Sequence, residues 1–210
     1  MRKTLLASAL LALALASASG MASASTLFST ADLNDFSTGY ENGAYAIDNT
    51  SFIGSSFHLD SASDISAIGG YFSQYSDGTI FGAILASGAA WNTMAGSALA
   101  EVTFAGSGAD QFVNLSGPLH LAAGDYQLVF GSGLFGATGS SALVDSQYTL
   151  GTPNIQQSFN AGNSLSALST PDVRMTVLGA VSPAPEAESY AMFLAGLGLV
   201  GAMVRRRRPV

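Results

Sequence analysis

The chain has 210 residues, with seven Lys or Arg against fourteen Asp or Glu, a formal charge of −7 and no cysteine. Without cysteine neither disulfides nor a thiolate metal site can hold the fold, so burial and hydrogen bonding carry its stability. Between the two ends Arg174 is the single Lys or Arg, set against twelve acids from Asp32 to Asp172 for a net of −11, and such a body repels a phosphate backbone, which excludes nucleic acid as a partner.

Residues 1–24 have the layout of a secretory signal peptide: Arg2 and Lys3, an apolar run over 5–16, then small residues ending in Ala22-Ser23-Ala24. Cleavage is expected after Ala24, with Ala16-Ser17-Ala18 as the competing site, and the first partners are the export machinery and a signal peptidase. The body, residues 25–182, is long enough to bury one sizeable core as one domain.

Within that body short β-type runs recur between clusters of Gly, Ser, Asn and Asp, the pattern of an all-β, antiparallel β-sandwich. Strands are expected over 65–73, 79–86, 98–104, 111–115, 126–130 and 173–178. In the fifth of these Tyr126, Leu128 and Phe130 alternate with Gln127 and Val129, so one face is directed to a core. Gly124-Asp125 is a natural turn, and 118–130 reads as a hairpin. The phrase from Pro118 to Tyr126 resembles one in exported bacterial jelly-roll modules attached to cell-surface anchors, which implies a jelly-roll-like architecture. Residues 131–141 and 151–171, rich in Gly, Ser, Ala and Asn, are expected as long loops with a strand each.

Candidate chemistry, in chain order, begins with Asp32-Leu33-Asn34-Asp35 and Asp60-Ser61-Ala62-Ser63-Asp64, which gather oxygen ligands. Neither completes a calcium loop: Ile65 stands where the glycine belongs and Tyr71 where the glutamate belongs, so turn formation is the expectation and no metal or other cofactor is assigned. His58 and His120 are the two neutral-pH bases, each in a β-type run and neither within a nucleophile motif, so no catalytic residue is expected. Trp91, Tyr71 and Tyr75 are the candidates for sugar contact, since sugars stack on flat rings beside polar groups. Gly131-Ser132-Gly133-Leu134-Phe135-Gly136 matches the dinucleotide fingerprint in spacing but opens no helix, and reads as a loop.

The tail has three zones: a Pro-rich spacer with Pro183, Pro185 and Glu186, a hydrophobic helix expected over 190–204, and Arg205, Arg206, Arg207 and Arg208. The fourteen residues 191–204 rise to roughly 21 Å as a helix, short of a hydrocarbon core of ~30 Å. Tyr190 at one interface and snorkelling arginines at the other make this a marginal span. The arginines act as the stop-transfer signal and stay cytoplasmic by the positive-inside rule, which leaves the body across the inner membrane in the periplasm.

In this order the residues resemble the PEP-CTERM sorting family, whose tail joins a Pro-Glu-Pro motif to a short hydrophobic helix and an arginine cluster. Pro185 and Glu186 match the motif; Ala187 stands at its second proline. The resemblance implies an exosortase-like processing enzyme in a Gram-negative, exopolysaccharide-producing bacterium, with delivery from a transient inner-membrane tether to the cell envelope or extracellular matrix. Three functions are therefore to be separated: a non-enzymatic surface or exopolysaccharide-matrix protein, a carbohydrate-binding module at the same place, and a secreted hydrolase.

Overall fold

The computed structural model describes residues 24–31, 44–74, 77–144, 154–168 and 173–182, with Leu197 alone from the tail. The expected signal peptide up to residue 23, Asp32 to Asp35, Tyr75, and, apart from Leu197, the expected tail helix with its arginines lie outside the described residues.

Two six-stranded antiparallel sheets face each other. The first runs β1 (Ser25–Ser29), β12 (Met175–Val181), β4 (Ser63–Gln74), β9 (Ser141–Val144) and β2 (Ala44–Ile47), with β7 (Ala109–Leu121) along the other edge of β4. The second runs β11 (Ser164–Ala167), β10 (Ile155–Phe159), β3 (Phe52–Leu59), β8 (Gly124–Gly131), β5 (Ile80–Ala86) and β6 (Ala100–Phe104). The expected sandwich is therefore the observed one, and each of the six expected strands falls on an observed strand.

Period-two alternation builds the interior. Ile53, Phe57 and Leu59 of β3, Leu128 and Phe130 of β8 and Ile80 and Ile84 of β5 meet Ile65, Ile68 and Phe72 of β4 and Met175 and Val177 of β12. Phe72 sits at the centre, edge-on to Phe104 at 5.1 Å and to Phe130 at 4.9 Å, so three rings from three strands lock the two sheets face to face.

The opposite face of the second sheet is not left bare. A 3₁₀ turn, Trp91–Gly96, and the loop after β8 cover Phe52, Phe81, Ala83, Leu85 and Val129, forming a second cluster with Trp91, Met94 and Ala137. Val129 thus points away from the main core and is still fully buried. Trp91 fits because Gly54 lies beneath it: a Cβ there would stand 2.8 Å from the indole ring.

Two expectations need correction. Residues 118–130 are not a hairpin, because β7 pairs with β4 in the first sheet and β8 with β3 and β5 in the second. Leu121 and Leu128 face one common interior, and a chain that buries both in a single core has to cross from one layer to the other at Ala122-Ala123. The link over 60–62 between β3 and β4 crosses in the same way, and the two arches lie side by side, since Leu59 opposes Gly124 and Ser63 opposes Leu121. The second correction concerns 151–171, which holds two strands rather than one: β10 and β11 pair across the turn at Asn160 to Asn163. All four residues of β11 are exposed, so no buried face marks it in the sequence.

Candidate functional site

The strand that delivers the tail is held on both edges. β12 lies between β1 and β4, with Ser25 opposite Gly179 and Val181 opposite Ser63. Met175, Thr176 and Val177 are fully buried, and the Thr30 hydroxyl ties the start of the strand by donating to Val173 O at 2.6 Å and accepting from Met175 N at 2.8 Å. Gly179 permits a close crossing, for a Cβ there would sit 2.3 Å from the Asp64 carbonyl oxygen. Just beyond the strand the Ser182 amide donates to Ala62 O at 2.8 Å, and its hydroxyl reaches Asp64 Oδ2 at 3.5 Å. Ser182, the last described residue of the body, is thus pinned against an arch, with Pro185 and Glu186 a few residues on in the sequence.

Around that exit stand both histidines. His58 Nδ1 hydrogen-bonds Asp125 Oδ1 at 2.6 Å across β3 and β8, and its Nε2 lies 3.7 Å from Asp60 Oδ1. His120 Nδ1 hydrogen-bonds Asp64 Oδ1 at 2.8 Å across β7 and β4. The acids of the Asp60 to Asp64 segment are thus divided between two histidines on two sheets instead of converging on a cation. These side chains are largely exposed except Asp64, which is about half-buried, and such surface pairs contribute about 0–1 kcal/mol each. Among the described residues neither imidazole is hydrogen-bonded to a serine or threonine hydroxyl, and no group of three His, Cys, Asp or Glu is placed to hold a metal ion.

The residues of the exit lead directly into a recognised signal. Residues 183–208 match the family described as the PEP-CTERM protein-sorting motif. The tail carries a PEP-CTERM motif. This marks the chain as an exported, envelope-associated protein, sorted through its C-terminus and handled by the export machinery and an exosortase-like enzyme. The match covers the tail and not the body, and no curated protein matches the chain. Among the described residues no helix is long and apolar enough to cross a membrane. The PEP-CTERM positions Pro185, Glu186 and Arg205 to Arg208 lie outside the described residues, while Ala24, the expected cleavage residue, is exposed immediately before β1.

The three aromatic candidates for sugar contact do not form one surface. Trp91 is 2% exposed, and its indole N–H donates to Gln127 Oε1 at 2.6 Å, so neither ring face is open to a sugar. Tyr71 is half-buried on the other sheet, in β4 opposite Asp110. Tyr75 lies outside the described residues. The glycine-rich loop after β8 bonds to itself, with Gly133 N donating to Ala137 O at 3.0 Å and Ala137 N to Leu134 O at 2.9 Å, and Phe135 packs edge-on to Phe81 at 5.1 Å. Amides used in this way do not cradle a phosphate.

Two features have no counterpart in the sequence pattern. At the end of the sandwich away from the arches an open polar cleft of about 500 Å³ is lined by Asp48, Asn49, Ser132, Gly133 and 137–140. Asp48 shapes its wall. Partial burial alone would raise its carboxyl, but donors from the Thr50 hydroxyl, the Thr50 amide and the Ser51 amide, at 2.7, 2.7 and 2.8 Å, outweigh that and hold it below its ordinary value. The run Asp48-Asn49-Thr50 is a turn signal that a search for turns around asparagine and aspartate would have found. The second feature is the ion pair of Arg174 with Asp110, both well buried, which takes the body's one arginine out of any role as an anion-binding surface.

Proposed function

We propose that the protein is a non-enzymatic component of the cell surface or exopolysaccharide matrix, held for a time at the inner membrane by residues 190–208 with its body in the periplasm, then clipped near Pro185 and Glu186 and released outward. The PEP-CTERM match at 183–208 is the observation that carries this reading. The non-enzymatic part follows from the sequence, in which neither His58 nor His120 falls within a nucleophile motif.

The test is the intact mass and location of the mature protein in its natural host. The expected product begins at Ser25, lacks the segment after Glu186, and is found outside the inner membrane. A membrane-bound product that retains Arg205 to Arg208 would instead mean a permanent anchor, with Ala187 in place of the second proline as the place to restore processing.

A carbohydrate-binding role at the same location is the second reading, favoured by the cleft, whose Asp48, Asn49, Thr138 and Ser140 bring hydroxyl, amide and carboxylate groups suited to a neutral glycan. It requires saturable binding to purified exopolysaccharide that weakens in Thr138→Ala and Asn49→Ala while Trp91 fluorescence stays unchanged. A secreted hydrolase, the third, requires an activity that falls in His58→Ala or His120→Ala.

A further inference from the structure

We infer that, while its tail is in the membrane, the body stands on its two arches with the Asp48 and Ser132 cleft turned away from the bilayer. This rests on the tether reading above and adds the direction in which the body points. The strand register places both ends of the described body at one pole. Ser25 starts β1 opposite Gly179, close to where β12 ends at Val181, so the residue after the signal peptide and the residue before the tail leave from neighbouring strands in the same direction. Val181 opposes Ser63, Ser63 opposes Leu121, and Leu59 opposes Gly124, so the arches at 60–62 and at Ala122-Ala123 share that pole. The hydrogen bond from Ser182 N to Ala62 O fixes the exit onto one of them. The cleft residues immediately precede β3 and immediately follow β8, at the other ends of the same strands.

Lengths then limit how far the body can turn. At about 3.3 Å per residue, the twelve residues of β4 span roughly 40 Å from the arch pole toward the cleft pole. The spacer over 183–190 reaches at most about 29 Å when fully extended. An inverted body would hold its tail exit some 40 Å above the surface, beyond that reach. The end-on pose brings the tail exit to the surface, and with it His58, His120 and the carboxylates of Asp60, Asp64 and Asp125. The cleft pole is then the part of the tethered protein that meets whatever lies beyond the membrane.

Because the chain lacks cysteine, single labels can be placed without background. Residues 25–210 carrying Ser61→Cys or Asn49→Cys are labelled with one fluorophore and inserted into phosphatidylethanolamine and phosphatidylglycerol vesicles whose headgroups carry a nitroxide quencher. The expected result is quenching at position 61 and its loss at position 49, which the eight residues of β3 set roughly 26 Å farther from the exit. A flexible insert after Ser182 longer than the body should reduce the difference between the two sites. Equal quenching at both positions, or stronger quenching at 49, in protein that floats with the vesicles would overturn the orientation and leave the tether intact. Failure of the tail-bearing chain to float with the vesicles would overturn the tether itself, and the orientation with it.

Discussion

The two hydrophobic clusters on either side of the second sheet are built by different means. Between the sheets, alternation on many strands supplies one face after another, and Phe72, Phe104 and Phe130 interlock at the centre. On the outer side, a short 3₁₀ turn and a loop provide the cover, and the cluster depends on Trp91 entering the space above Gly54. Redundant strands make the first core robust in pattern and costly to hollow. The second is a local plug, whose loss should leave the sandwich standing.

Phe72→Ala should produce the largest effect. Removing a fully buried ring from the junction of both sheets costs about 3–5 kcal/mol, on the order of 10 °C in melting temperature for a body of this size. Calorimetry on residues 25–182 reads it, and a shift of only one or two degrees would mean that the central ring cluster contributes little.

Gly54→Ala sharpens the contrast. Its new Cβ would approach Leu128 O to 2.7 Å and the indole to 2.8 Å, and strain of this kind costs about 1–3 kcal/mol. Trp91 is the chain's one tryptophan, so its displacement should red-shift the emission and expose the ring to iodide, while the strand signal in far-UV circular dichroism is retained. Unchanged emission would show that the outer cluster does not depend on this gap.

The smallest effect concerns neither core but the wall of the cleft. Because the folded Asp48 carboxyl lies below its unfolded value, its contribution is present above the unfolded pKa, 3.8, and is lost as pH falls through the lower folded value. Asp48→Ala should therefore cost on the order of 1 kcal/mol at neutral pH and progressively less below about pH 4. Chemical denaturation at pH 7 and pH 3 measures the difference; an equal cost at both would remove the charge from the explanation.

The sandwich was legible because its clearest strands combine apolar alternation with glycine and serine breaks, as in 79–86 and 126–130. What was missed followed from the same rules. β3, Phe52–Leu59, contains Gly54, Ser55, Ser56 and His58, so its composition hides a strand whose other residues are buried. β1 and β2 are short and flanked by polar residues, and β11 buries nothing. A strand, turn and strand over 118–130 looks the same locally whether it pairs with itself or crosses between sheets, and the layer its leucines share is a property of the whole fold. For the site, the tail is an ordered linear signal and could be read directly. The cleft could not, since Asp48 and Ser132 are brought together by two strand ends far apart in the chain. Trp91 stands out in the sequence as the single tryptophan, but its burial depends on Gly54 and Gln127, which no local pattern connects to it.

The position of β12 also bears on quality control during export. The strand that completes the first sheet, by entering between β1 and β4, is the last of the body to leave the ribosome and the last to cross the membrane. Until it arrives β1 has no partner and one edge of β4 is largely open, a state prone to proteolysis and to pairing with other chains. The sorting signal comes directly after it, so a product broken off before residue 175 lacks both the closing strand and the address. Fold completion and delivery therefore select for the same intact molecule, and a fragment that fails one fails the other.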